Sequence, residues 1–324
     1  EVYCGDIQIV LHATSLSPKA HRRLNCSGWL ACCSLSAQET NHAGRYGGCM
    51  ATTHRPTNDQ NPSQTPPVDI FLIRHGQTEA NIALQMSGWM ETPLTEVGME
   101  QARATGRALA RRGGNAAEVL PIDRMLSSDL GRALHTAQLV AGEVGEPEIE
   151  LVPELREWNF GSYEGATLEA MWHAIFDQLG IQPTSAGEVG ANFWTHMRHA
   201  AAEGFDEPAV MTALARADAS GGANTWEQFL ARAEQSLQRI RLEAEALAQQ
   251  RESVSGGGED PALPRPNPSL AVVSHGAFIR TLLSLMDPVQ YAGEPIANAA
   301  VCHLRYSPNP GFALVRTNVS AEDW

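Results

Sequence analysis

The sequence predicts an α/β protein: a three-layer sandwich whose mostly parallel sheet carries helices on both faces, with an added helical insertion. Three observations predict it. Short apolar runs of strand length alternate with longer segments whose apolar residues recur every three or four positions. The first of these runs holds almost no polar residue, as a strand buried on both faces requires. Four of the runs end where histidines, arginines and carboxylates begin, at the strand ends where such sheets bind ligands.

Val68–Ile73 is apolar except for Asp69 and stops at Arg74, which reads as a buried strand. Thr95–Arg112 follows as a helix, with Gly113-Gly114 as its stop signal. Ile122–Leu126 is the second strand. Leu130, Ala133, Leu134, Ala137, Val140 and Ala141 then form a helical stripe. Ile149–Val152 is the third strand. Thr225–Gln249 is a long helix with Phe229, Leu230, Ala233, Leu237 and Ile240 on one face. Leu270–Val273 is the fourth strand and Ala277–Met286 the helix after it. Two short strands, about 299–306 and 312–317, close the domain around the turn Pro308-Asn309-Pro310-Gly311. Residues 251–269 read as a Gly/Pro-rich surface loop, and 171–224 as a long insertion with helical pieces.

Residues 1–67 differ from the rest. They lack sustained periodicity, begin without Met and close on a Pro/Asn/Gln/Thr tract ending at Pro66-Pro67. They are expected to be a disordered extension, with 68–324 as one domain. The first methionine is Met50, so residues 1–49 are expected to be upstream read-through rather than native protein. A targeting segment is the alternative, weakened because Asn25, Ser27 and Gly28 interrupt the apolar stretch after Arg22-Arg23.

Composition narrows the function. Against 37 acidic residues stand 23 basic ones, a net charge of −14, which repels phosphate backbones and argues against nucleic acid as a partner. An anionic substrate must therefore meet a few cations focused in one pocket. No run of 18 apolar residues exists, which excludes a membrane-spanning helix. Cys4, Cys26, Cys32, Cys33 and Cys49 precede residue 50 and leave Cys302 alone in the body. With no disulfide framework available there, a reducing, cytoplasmic location is expected.

The strand ends carry the chemistry. Arg74-His75-Gly76-Gln77-Thr78-Glu79 and then Asn81 follow the first strand, and Ser127-Ser128-Asp129-Leu130-Gly131-Arg132-Ala133 the second. Glu154-Leu155-Arg156-Glu157 follows the third, and Ser274-His275-Gly276 the fourth. A neutral imidazole attacks phosphorus and forms a phosphoramidate that water can cleave. Arginines present planar donor forks to phosphate oxygens and stay charged. In a partly dry site each such cation contributes on the order of 4 kcal/mol at an effective dielectric of about 20. A glutamic acid protonates the departing oxygen and, once ionised, deprotonates water. This set needs neither metal nor cofactor.

These blocks resemble the histidine phosphatase superfamily, in its phosphoglycerate-mutase-like branch. The matching segments are LIRHGQTEAN (72–81), SGWMETPLTEVGMEQA (87–102), SSDLGRALHTA (127–137), LREWNFGSYEG (155–165) and VSHGAFIRTLL (273–283). The resemblance implies that His75 is the phosphorylated nucleophile, Glu157 the proton donor and acceptor, and His275 the second histidine that holds the phosphate. It implies phosphate clamps at Arg74 and Arg132 and a phosphate contact at Asn81. Thr78, Ser87 and Gly88 are expected to line the pocket, and Gly276 to allow close backbone approach. Glu154 and Glu164 stand near Glu157, which alignment on Gly161 and Gly165 selects.

The implied activity is a phosphomonoesterase acting on a small-molecule phosphate ester. A phosphoglycerate-type mutase and a non-catalytic phospho-ligand binding module are the alternatives. After the glutamate motif the chain reads EGATLEAMWHAIFDQLG, unlike the capping segment of the family's mutases, which favours hydrolysis. His135, His173, His196, His199 and His303 show no metal-ligand spacing and read as surface or core residues. Trp172, Phe176, Phe193 and Trp194 are expected to be the insertion's own small core, with a substrate-covering lid as the second reading. Trp89 and Trp158 divide evenly between pocket mouth and core, and Arg156 reads as a surface residue.

Overall fold

Six strands form one sheet: Val68–Arg74 (β1), Arg124–Ser127 (β2), Ile149–Leu151 (β3), Ser269–Ser274 (β4), Val301–Ser307 (β5) and Gly311–Val319 (β6). Their order is β3-β2-β4-β1-β5-β6. β1 to β4 are parallel, while β5 pairs antiparallel with β1 and β6 with β5, so the sheet is mixed. The computed structural model describes residues 65–113, 119–182, 193–254, 266–291 and 293–324. The expected Met50 start and nearly all of the expected extension lie outside the described residues, as do 183–192 of the insertion and 255–265 of the Gly/Pro-rich loop.

Eight α-helices are described: Glu79–Ile82 (α1), Glu96–Ala110 (α2), Gly131–Ala141 (α3), Leu168–Leu179 (α4), Phe193–Ala202 (α5), Glu207–Ala217 (α6), Trp226–Val254 (α7) and Gly276–Met286 (α8). None of the described helices is long and apolar enough to cross a membrane. The pleat of β1 and β4 sends alternate residues to two cores. Ile70, Leu72, Leu270 and Val272 meet Phe229 and Ile240 of α7 and Phe278 and Leu282 of α8. Phe71, Ile73, Ala271 and Val273 meet Leu109 of α2 and Ala133, Ala137 and Val140 of α3. Each fully buried Leu, Ile or Phe contributes about 1.5–3 kcal/mol, so the three layers are held from both sides.

Three boundaries differ from the sequence reading. Ile122 donates its N–H to Val144 O instead of joining the ladder, so β2 begins at Arg124. β3 is an edge strand with Glu150 and Leu151 exposed, and Pro153 turns the chain into a 3-10 helix, Pro153–Leu155. β6, with nine residues, is the longest strand rather than a short one. The insertion also departs from expectation. Trp172 and Phe176 of α4 and Met211 and Leu214 of α6 bury into the same cluster as β1 and β4, not into a separate core.

Two glycines bring the start of α2 against the chain just past β1. A Cβ at Gly98 would lie 2.0 Å from Gln77 O, and one at Gly76 would lie 2.3 Å from Gly98 O. Thr95 caps α2 through Gly98 N and donates its own N–H to Gln77 O at 3.0 Å. The backbone after β1 is thereby fixed where the first candidate histidine stands.

Candidate active site

β1 and β4 are parallel neighbours whose register sets Arg74 opposite Ser274. One step further, His75 and His275 leave the sheet side by side, with ring centroids 5.2 Å apart and ring planes at 58°. His75 N donates to Ser274 O at 3.0 Å, which ties the two strand ends together. β2 lies on the other side of β4 and delivers Ser128, whose hydroxyl is 2.9 Å from His275 Nε2. His75 is 4% exposed and His275 fully buried.

His75 Nδ1 lies 2.8 Å from Gly76 O, an acceptor only, so Nδ1 carries the proton and Nε2 keeps the lone pair. Burial holds the His75 pKa well below the ordinary imidazole value, and the Arg132 and Arg74 cations push the same way. His275 is lowered well below it by burial, then by Arg132. Both rings are therefore neutral at pH 7, the state a nucleophile needs. Stability follows with a definite sign. As pH falls through about 6.5 the unfolded chain protonates these imidazoles while the folded chain resists, so stability is lost toward acid and is complete above that range. The melting temperature should fall between pH 7 and pH 5, and fall less in His75→Gln. An equal fall in both proteins would refute the burial account.

The cations sit around this pair. Arg74 donates Nη1 to Ile296 O at 2.6 Å, and its buried Nε has no protein partner. Arg132, 1% exposed on the first turn of α3, donates Nη1 to Met90 O and Nη2 to Ser87 O and Gly88 O. Its Nε is likewise buried and unpartnered, as is His275 Nδ1. Burial pushes the Arg132 pKa down to about 10, which leaves it charged at neutral pH. Glu157 meets the N-terminus of α8: Oε1 accepts from Trp158 N and Phe278 N, Oε2 from Ala277 N. Oε2, with one donor against two on Oε1, keeps the spare capacity for a proton. Arg74, His75, Asn81, Ser87, Glu157 and Gly276 all line one cavity of about 230 Å³.

Residues 70–203 match the family model for the histidine phosphatase superfamily, branch 1. That stretch of the chain is similar to the superfamily's members. An adenosylcobalamin/α-ribazole phosphatase of Salmonella typhimurium is 45% identical over 95 residues, 29% of this chain and 43% of that protein. A 2,3-bisphosphoglycerate-dependent phosphoglycerate mutase of Rhizobium etli is 29% identical over 140 residues, 39% of this chain and 64% of that protein. The chain thus aligns with only about half the length of these curated relatives. The crystal structure of a phosphoglycerate mutase from Bacillus anthracis matches with a TM-score of 0.60 at 25% identity, covering 79% of this chain and 95% of that one. The proteins this chain resembles therefore include both phosphatases and mutases.

Two residues expected at the pocket do other work. Thr78 is fully buried and caps α1: its hydroxyl accepts from Asn81 N, and Asn81 Oδ1 accepts from Thr78 N. It does not line the cavity. Gly88 packs below it, where a Cβ would meet Trp158 O at 1.9 Å, and its N–H goes to Glu164 Oε2. Asn81 shares Oδ1 with Asn298 Nδ2, which also reaches His75 O, so its own amide NH2 is left for a ligand. Gly276 does allow the close approach, with Arg74 Nε 3.3 Å from where a Cβ would stand.

The structure separates the neighbouring carboxylates. Glu164 accepts from Gly88, Trp89, Met90 and Phe160 N–H groups and so organises the loop that Arg132 holds from the other side. Arg156 pairs with Asp129 at 2.5 Å and lies over the Trp89 ring at 4.6 Å, so it is not a bare surface residue. Trp158 is core, 1% exposed. The aromatic residues of the insertion divide: Trp172 and Phe176 are buried, while Phe193 and Trp194 line the cavity. His196 stacks on Trp172, and His303 pairs with Asp69 at 2.9 Å.

Sequence reasoning missed Arg232. This half-buried α7 residue donates to the carbonyls of Glu154, Arg156 and Glu157, which fixes the chain that presents the Glu157 carboxylate.

Proposed function

We propose that this protein is a phosphomonoesterase that acts through a phosphohistidine intermediate and needs no metal. One observation carries the reading: the neutral His75, with Nε2 unprotonated, stands beside two buried arginine donors, Arg74 Nε and Arg132 Nε, and a buried ring nitrogen, His275 Nδ1, none of which has a protein partner. Buried unsatisfied donors are costly, and an anion bound there relieves both arginines and accepts from His275 Nδ1 when that nitrogen carries the ring proton.

His75 Nε2 attacks phosphorus in line, and the P–O bond to the leaving group breaks. The departing oxygen takes a proton from Glu157 Oε2. Water then gives a proton to Glu157 and attacks the phosphohistidine, the P–N bond breaks, and inorganic phosphate leaves with His75 again neutral. Arg74, Arg132, the Asn81 amide and His275 hold the equatorial oxygens. Nucleophile, charge and proton all come from the chain, so EDTA should leave turnover unchanged. Activity lost on chelation and restored by a divalent cation would refute the mechanism. A small phosphate ester is the substrate, and placement in the cytoplasm rests on the cysteine distribution.

The Rhizobium etli and Bacillus anthracis relatives favour the second reading, a phosphoglycerate mutase. The assay that decides compares phosphate release from an aryl phosphate with interconversion of phosphoglycerates. Hydrolysis should exceed interconversion. Interconversion faster than release would replace the first reading with the second.

A further inference from the structure

Beyond the histidine pair the cavity changes character. Apart from Arg74, His75, Asn81, Ser87 and Glu157, its lining is largely apolar, with Leu84, Phe160, Leu168, Phe193, Trp194 and Ile296 beside the uncharged Gln85. Among the described residues, Arg74 is the only cation that lines it. Arg280 lies behind Trp194, 3.7 Å from the ring centroid, but it is committed to Gly293 O and to Glu207 at 3.3 Å. The aromatic wall is anchored from behind as well, since Phe193 meets Trp172 edge-on at 5.3 Å. At the rim, Leu84 is 65% exposed although its backbone is held at φ 53°, a left-handed conformation that a leucine rarely adopts. Ile82 beside it is 60% exposed.

These features define what leaves. A second anion on the substrate would be stripped of water against apolar walls with no cation to receive it. The net charge of −14 adds long-range repulsion that grows with substrate charge. A flat apolar group gains burial at the same wall and covers the exposed rim. We infer that the site takes monophosphate esters of apolar, aromatic-bearing alcohols and discriminates against esters that carry a second anionic group. This rests on the phosphomonoesterase reading and specifies its leaving group.

The test uses the full chain and three alkyl esters, so that leaving-group acidity is comparable: 2-naphthylmethyl phosphate, glycerol 3-phosphate and 3-phosphoglycerate. The kcat/KM for the naphthylmethyl ester should exceed that for 3-phosphoglycerate by at least about tenfold, with glycerol 3-phosphate between them. Trp194→Arg and Leu84→Arg each place a cation at the wall and should shrink that ratio by about fivefold or more. Leu84 is exposed, so its variant tests the idea without disturbing the core. A ratio near or below one, or a ratio unmoved by both arginines, overturns the substrate class while phosphohistidine formation keeps the hydrolase standing. Absence of both phosphate release and phosphohistidine with every ester overturns the hydrolase, and the substrate class falls with it.

Discussion

His75→Ala is expected to abolish turnover, by on the order of 10⁴-fold or more, and to abolish the acid-labile phosphoenzyme at the same time. In the proposed mechanism the two losses must coincide, because there the imidazole supplies the nitrogen of the P–N bond and is not an aid to another nucleophile. His275 cannot replace it. That ring is fully buried, its Nε2 is committed to Ser128 Oγ, and it is His75 that lines the cavity. His275→Ala therefore gives the contrasting result: slower phosphorylation, by about 10²–10³, with the phosphoenzyme still detectable. Label retained in His75→Ala would move the nucleophile elsewhere, and full activity in that variant would end the covalent mechanism.

The strand ends were readable in the sequence for a physical reason. A run such as Val68–Ile73, apolar but for Asp69, is buried on both faces, and the first chemistry-bearing residue after it marks where the sheet stops. The adjacency of β1 and β4 is different in kind. No local pattern states that Arg74 pairs with Ser274 two hundred residues away: the strand-end rule puts both histidines at one edge of the sheet, and the resemblance to a family pairs them. Thr78 shows how a local rule was overlooked: Thr78 and Asn81 have the spacing of a capping box, and that is what they form. Arg232 shows where local rules end. It sits on a long charged helix and reads as a solvated residue, yet its partners are the carbonyls of the 154–157 segment. Phe193 and Trp194 read first as core and only second as a lid, because hydrophobicity alone cannot separate a ring buried against protein from one that walls a cavity.

Arg132→Lys is the second large effect, and it separates charge from shape. Lysine keeps a cation near His75 but offers one compact ammonium where arginine offers a planar fork. In the structure that fork reaches three carbonyls, at Ser87, Gly88 and Met90, while Nε has no protein partner and, in the proposed mechanism, serves the phosphate. An ammonium cannot serve the loop and the phosphate together. If it turns to the phosphate, the carbonyls of the loop lose donors at about 1–3 kcal/mol each, and the loop is left to the Glu164 carboxylate and the Trp89 Nε1 bond to Glu157 O. If it stays with the loop, the phosphate loses a clamp. Either way kcat/KM should drop by about 10²-fold, with a lower melting temperature in the first case and an unchanged one in the second. Asn81→Ala removes a ligand amide together with the Oδ1 acceptor of Thr78 N and Asn298 Nδ2 but leaves both arginine clamps, and should cost less than Arg132→Lys. Full activity in Arg132→Lys would show that a point charge suffices, and the fork would then have no part in holding the phosphate.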